Sequence, residues 1–356
     1  MKKTNPYKNL PDYCFWKRAV SSVHSHDLDP VIAAPWRITK QTQVVTAGSC
    51  FAQHIARHLQ NAHLPYLITE SIMSKEDALA YNYGTFSARY GNIYTARQLL
   101  QLMQRVYALF TPQETVWQTA QGEFIDPFRP QVQPFGFASE AEFYADRAQH
   151  FAAVRRAFEE LDVFIFTLGL TEAWQCYADG AILPLAPSVV AGEFDAAKYG
   201  LHNFKVAEIV FDMVAFIDLL RAINPRAKII LTVSPVPLIA TALKNTHVLT
   251  ATTYAKSALR AACEEIIHER DAVIYFPSYE IITGNYNRGE YFAKDCRSVN
   301  EAGVNHVMRL FLKHFANTVL TPPAPLLVDN SDLTNEHLQA MTALVKVNCD
   351  EEVLDN

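Results

Sequence analysis

An α/β fold on a parallel sheet is predicted by three features of the sequence. Short apolar runs, Val44–Ala47, Tyr66–Ile68, Val163–Thr167, Lys228–Val233 and Ala272–Phe276, read through without the polar alternation of a half-exposed strand. Segments with apolar residues at helical spacing separate them. Ser49, Gly169, Ser234, Pro277 and Asp295 each fall after a predicted strand. Continuous apolar strands alternating with helices indicate a parallel sheet covered on both faces. Five such strands fit a flavodoxin-like three-layer α/β/α sandwich. Ligands of such sheets bind at the carboxyl ends of the strands, so the five residues can share one site.

The elements follow in order. Residues 1–40, rich in Pro, His and aromatics, read as an irregular arm over the core. After the strand at Val44 comes a helix from about Phe51 to Ala62, then the short second strand. The stretch Tyr81 to Asn92 reads as a polar, aromatic loop. Thr95 opens a helix to Tyr107 whose Leu99, Leu100, Met103 and Val106 share a face. A long helix spans Glu140–Glu160, with Phe143, Ala148, Phe151, Val154 and Phe158 on its apolar side. Residues 176–201 are punctuated by Gly and Pro and read as an insertion over the active face. Helices at Lys205–Ala222, Tyr254–Glu269 and Asn300–Phe315 complete a domain of residues 1–320. Residues 321–356 form a tail with a short helix predicted from Asn335 to Val347.

Composition narrows the function. The chain has 356 residues, half of them hydrophobic, and a net charge of −6. Its Lys and Arg residues are scattered, which argues against a nucleic-acid footprint and against a polybasic membrane patch. The amino terminus lacks the apolar stretch of a secretory signal, and no window reaches the unbroken apolar length of a membrane span. A cytoplasmic location is therefore expected, with the oligomeric state left open. The six cysteines are widely spaced, without a C-x-x-C pair, so no metal and no cofactor are expected. No G-x-G-x-x-G follows any strand, which disfavours a dinucleotide enzyme.

The segment Gly48-Ser49-Cys50-Phe51-Ala52 carries the most chemistry. A serine between a strand and a helix is presented at the sheet edge beside unpaired N–H groups, where a developing oxyanion can be held. As an isolated pattern the serine reads better as an ordinary N-cap. Cys50, on the same helix start, reads as a packing residue.

Thr46-Ala47-Gly48-Ser49-Cys50-Phe51-Ala52-Gln53-His54 resembles the signature of the GSCFA family, itself similar to the SGNH (GDSL-like) esterases and acetyltransferases. Four further segments match in order: Thr167 to Trp174, Thr232 to Pro237, Tyr275 to Glu280 and Asp295 to Asn300. The resemblance implies an SGNH-type sheet and a serine that acts on O-acyl esters of a sugar or polysaccharide precursor, by hydrolysis or transfer. It implies Ser49 as nucleophile, with its own N–H as one oxyanion donor. Gly84, or alternatively Gly91, matches the glycine donor. Thr171 stands where the group carries an asparagine amide, and its hydroxyl can donate one hydrogen bond. Asp295 matches the acid that orients the catalytic histidine.

Ser298 occupies that histidine's position. A hydroxyl is not a base near neutral pH. Loss of a triad member in serine proteases leaves only about 10³–10⁴ of rate enhancement over water. His202, at the end of the insertion, is the leading substitute base; a turn-capping role is the plainer reading. His54 and His306 are confined by their helices, and Glu172 can serve only if desolvated. Arg297 is a candidate for an anionic substrate group, or for pairing with Glu301. Tyr83 and Trp174, among other loop aromatics, suit a stacked sugar and equally suit packing under loops. The rival to an enzyme is a binding module for a glycan, nucleotide-sugar or protein partner that has kept the pocket.

Overall fold

The computed structural model of the chain describes residues 5–72, 74, 78, 80–316 and 350–354. In chain order it contains β1 (Val44–Gly48), α1 (Ala52–Asn61), α2 (Ala96–Val106) and a small hairpin, β2 (Trp117–Gln118) with β3 (Phe124–Ile125). Next come α3 (Glu140–Glu160), β4 (Val163–Leu168), β5 (Glu172–Cys176), β6 (Ile182–Leu183) and β7 (Tyr199–Asn203). The remainder comprises α4 (Val206–Ile223), β8 (Lys228–Val233), α5 (Val248–Glu269), β9 (Val273–Tyr275), α6 (Ser278–Thr283) and α7 (Glu301–Phe315).

The central sheet is parallel, in the order β1-β4-β8-β9. Successive residues of a strand point to opposite faces, and the core divides accordingly. Val45, Ala47, Phe164, Phe166, Ile229 and Leu231 pack with α2, α3, α4 and α5. Val44, Val163, Ile165 and Ile230 pack with α1, α6 and α7. Burying side chains of this size contributes roughly 1.5–3 kcal/mol each, which is why the strands read as unbroken apolar runs.

Among the described residues this sheet has four strands where five were expected. The predicted strand Tyr66–Ile68 makes a single parallel bridge, Tyr66 to Val44. Beyond it the outer edge of β1 is satisfied by side chains of the polar loop. The Thr46 N–H donates to Ser87 Oγ at 3.2 Å, and the Tyr90 hydroxyl donates to the Thr46 carbonyl. Those hydroxyls close the edge a longer strand would have paired with.

The stretch after β4 is more ordered than an insertion suggested. β5 pairs antiparallel with both β6 and β7, forming a second sheet in the order β6-β5-β7. Helix α5 starts six residues before its expected position at Tyr254, because His247 Nδ1 accepts from the Leu249 N–H at 3.1 Å and caps it. Histidine is outside the usual capping set, so the start was hidden. Helix α2 begins at Thr95 in a capping box: Gln98 N–H donates to Thr95 Oγ1, and Gln98 Oε1 accepts from Thr95 N–H. The arm is pinned by several contacts to α7, among them His306 Nε2, 2.8 Å from the Leu28 carbonyl, and His314 Nε2, 2.8 Å from Asp29 Oδ2. The predicted helix Asn335–Val347 lies outside the described residues.

A candidate active site at the carboxyl ends of β1 and β4

Ser49 follows β1 directly. The turn into α1 requires a glycine before it. Gly48 has φ of +143°, and a Cβ there would stand 2.5 Å from the Thr167 carbonyl oxygen. The Ser49 carbonyl accepts from the Ala52 N–H at 2.9 Å, which opens the first helical turn. The Ser49 N–H donates to the Thr167 carbonyl at 3.1 Å, so it continues the β1–β4 ladder rather than facing a ligand as expected. The N–H groups next in line at this helix start are those of Cys50 and Phe51. Ser49 is 2 % exposed, and its hydroxyl has no hydrogen-bond partner among the described residues.

Gly169, at the end of β4, lies against it. A Cβ on Gly169 would meet Ser49 Cβ at 2.8 Å and Tyr94 Cδ1 at 3.2 Å. The Gly169 and Leu170 N–H groups both donate to the Tyr94 carbonyl, at 2.9 and 3.1 Å. Thr171 follows on the same loop, buried, with its hydroxyl also unpartnered among the described residues. The Thr167 hydroxyl is in the same condition. Three orphaned hydroxyls thus sit at the carboxyl ends of two adjacent strands. An unmade buried hydrogen bond costs about 1–3 kcal/mol, a cost that marks functional positions more often than packed core.

The other predicted residues are distributed more widely. Asp295, exposed, accepts from the Ser298 hydroxyl at 2.6 Å and from the N–H groups of Arg297 and Ser298, each at 3.0 Å. Burial slightly favours its acid form, but these donors outweigh it and lower its pKa below the ordinary 3.8. Arg297 donates through Nε to the Pro237 carbonyl. None of these bonds reaches Ser49. His202 does not close a loop: it lies on β7 opposite Ala173 and its Nε2 is 2.9 Å from Glu208 Oε1. That bond orients the ring toward Glu208, and no bond joins His202 to Ser49 among the described residues. Glu172 accepts twice from the Thr241 hydroxyl, and burial raises its pKa. Trp174 packs edge-on against Phe194. Tyr83 stacks under Arg89, which donates to its hydroxyl.

The two histidines set aside on helical grounds are also engaged. His54 is buried against Phe51, and its pKa falls to about 3 through burial and the nearby Arg57 charge. His306 Nδ1 lies 2.7 Å from the Tyr291 hydroxyl.

A cavity of about 280 Å³ opens beside this region, lined by Gln53, Asn92, Phe86, Tyr90, Phe128 and Gln131 among others. Gly91 lines it and Gly84 does not. Ser49 does not line it either; Gln53, one helical turn further along α1, does. Asn92 is buried, and its Oδ1 accepts from Gln53 Nε2 at 3.2 Å. The Ile93 N–H that follows donates to the Gly48 carbonyl, anchoring the loop next to Ser49. Asn92 was passed over because it closes a loop dense in polar residues, although the Gly-Asn pair was its visible mark.

Two further residues were missed. Lys256 is buried and donates to the Gly169 carbonyl at 2.7 Å, holding the loop that faces Ser49. Its signal was a cation on the apolar stripe of α5 formed by Ala255, Leu259 and Cys263. Asp350, in a short 3-10 turn Asp350–Leu354, borders the cavity, and its N–H donates to the Tyr94 hydroxyl. Burial lifts its carboxyl to about 7, against a hydrogen bond from Asn92 that lowers it. Among the described residues no group of three or more His, Cys, Asp or Glu is placed to hold a metal. No helix there is long and apolar enough to cross a membrane.

The class is therefore an α/β protein with a buried serine at the end of its first sheet strand. Residues 43–311 match the model of the GSCFA family, and the chain belongs to that family. Among solved structures it is similar to a carbohydrate esterase family 3 protein from Talaromyces cellulolyticus, with 11 % identity and a TM-score of 0.32 over 76 % of this chain and 94 % of that one. It is also similar to an acetyl esterase, a serine-to-alanine mutant solved with acetate ion, with 11 % identity and a TM-score of 0.30 over the same shares. Likeness at that level leaves the reaction to be argued from the site itself. A comparison with curated proteins found no match.

Proposed function

We propose that this chain is an SGNH-like ester hydrolase or acyltransferase in which Ser49 takes the acyl group from an O-acylated sugar or polysaccharide precursor. The observation that carries the reading is the Ser49 hydroxyl, buried without a partner at the carboxyl end of β1 and in contact with Gly169. In this reading the Cys50 and Phe51 N–H groups and the Asn92 amide supply the charge stabilisation that Ser49 N–H and Thr171 were first assigned. Rings and amides share the cavity lining: Phe86, Tyr90 and Phe128 with Asn82, Asn92 and Gln131. That mixture supports a sugar as the alcohol part.

A second reading is favoured by one observation. The Ser298 hydroxyl, in the histidine's place, is bound to Asp295, and no imidazole among the described residues bonds to Ser49. A binding module that kept the pocket would look the same. Turnover of 4-nitrophenyl acetate separates the two. The esterase reading expects hydrolysis above the uncatalysed rate that disappears in Ser49→Ala with melting unchanged. Equal rates for both proteins would leave the binding module.

A further inference from the structure

Beside the larger cavity lies a branch of about 20 Å³, lined by Tyr90, Asn92, Gln98, Arg105, Phe128 and Arg129 among others. It shares Tyr90, Asn92, Phe128 and Arg129 with the larger cavity. Its volume is that of about one water-sized group.

A buried charge cluster forms one wall. Arg129 pairs with Asp126 and Asp146, Arg89 with Asp146, and Arg147 with Asp126. Glu70 lies 2.8 Å from His150 Nδ1 and accepts from the Arg89 N–H. Burial and the Arg129 charge push His150 down to about 4, so it is neutral at pH 7. With Arg105 the cluster holds four guanidinium groups against the three carboxylates Glu70, Asp126 and Asp146. Arg105 makes none of these ion pairs among the described residues, although the nearby Asp126 charge favours its cation. Both Asp126 oxygens are already taken, by Arg129, Arg147 and the Phe128 N–H.

Arg105 is 9 % exposed and lies flat over the Phe128 ring at 3.8 Å. Its Nε is buried with no hydrogen-bond partner among the described residues. A guanidinium offers five N–H donors in a fixed fork that matches a carboxylate. Keeping the Nε donor buried and unmet is costly, unless something else meets it.

We propose that Arg105 is a carboxylate-binding residue at the end of this branch, so that the molecule taken by the adjoining cavity bears a carboxylate. The substrate class this implies rests on the esterase reading: an ester whose acyl chain or sugar carries a carboxylate. The branch admits one oxygen-sized group at a time, so it takes the tip of an anion whose remaining atoms lie in the adjoining cavity, and the planar fork suits a carboxylate there.

The test is equilibrium binding, measured by calorimetry on full-length Ser49→Ala so that turnover plays no part. The probes are monomethyl succinate and glucuronate, for an acyl-borne and a sugar-borne carboxylate, with dimethyl succinate and methyl glucoside as neutral counterparts. The expected result is preference for at least one carboxylate probe over its neutral counterpart. That preference should fall by about 10- to 100-fold on adding Arg105→Met, the range for losing a charge-assisted pair. Arg105→Met should also melt no lower than the parent, because it removes a buried, unmet donor. Arg105→Lys, which keeps the charge without the fork, should lose most of the preference. Equal binding of charged and neutral probes, or preference retained in both variants, would overturn the proposal. So would a markedly lower melting temperature in Arg105→Met. Carboxylate preference without esterase activity would sink the esterase reading alone; activity without preference would sink this one alone.

Discussion

Ser298 holds its hydroxyl on Asp295 at 2.6 Å, the position from which an imidazole in its place would be oriented. This makes the missing base repairable. Ser298→His should raise kcat/KM for 4-nitrophenyl acetate by about 10²–10⁴, the usual contribution of a general base. No gain in a folded variant would count against the Asp295 loop facing Ser49. The amide of Asn92 is tested in the opposite direction. Asn92→Ala should lower kcat by about 10²–10³ with little change in KM, as loss of an oxyanion donor does. If Thr171→Val shows that fall and Asn92→Ala does not, the donor is the threonine of the family's third motif. At this scale the sequence was legible for placement, since Ser49 directly follows β1 as its motif implied. It was not legible where a role depends on what a side chain meets across the fold. The Ser49 N–H donates to Thr167 and His202 is bonded to Glu208, and neither follows from local spacing.

Between elements, the approach of β4 to β1 decides the site. Gly169 has no room for a side chain against Ser49 and Tyr94. Gly169→Ala should cost about 1–3 kcal/mol, as overpacking does, and should abolish esterase activity by pushing Ser49 or Tyr94 aside. Unchanged urea stability and activity would show that the contact is loose. The turn at Asp350 offers a test with a sign. Its folded pKa is raised from 3.8 to about 7, so the docked form favours the protonated acid. Its contribution is whole below about 4, declines as pH rises, and is gone above about 7. Amide exchange over 350–354, corrected for intrinsic rates, should therefore show weaker protection at pH 8 than at pH 5.5. Asp350→Asn should remove that difference. An unaltered pH dependence in Asp350→Asn would place the cause elsewhere. The sheet strands were readable because both faces are buried. The long helix Glu140–Glu160 was readable in extent, but its expected stripe was not fully right, since Ala148 is exposed and His150 is buried instead. The second sheet was not, because β5 and β7 mix half-buried polar residues with glycine and carry no clean period.

Over the whole molecule, buried histidines set the acid limit. His54 falls to about 3, and His150 and His306 to about 4, chiefly through burial. Each is neutral when folded and binds a proton more readily when unfolded, so stability is present above about 6.5 and is lost as pH falls from there. Glu70 adds a second loss below about 4.5: burial raises its pKa, but His150 and Arg129 outweigh that and bring it to about 2. The urea midpoint should therefore decline from pH 6.5 to 4, and a flat profile would contradict the burial of these rings. The fold class follows from pattern because periodicity reports burial directly. The charge cluster does not, because Glu70, Arg89, Asp126 and Asp146 lie far apart in sequence and meet only when the loops close over α3. The central claim, that Ser49 is the group that takes the acyl chain, is tested most directly by treating the folded protein with an alkyl fluorophosphonate and measuring intact mass. The account predicts one phosphonyl adduct, located on Ser49 by peptide mapping and absent from Ser49→Ala. No adduct on the folded protein, or an adduct on another residue, would contradict it.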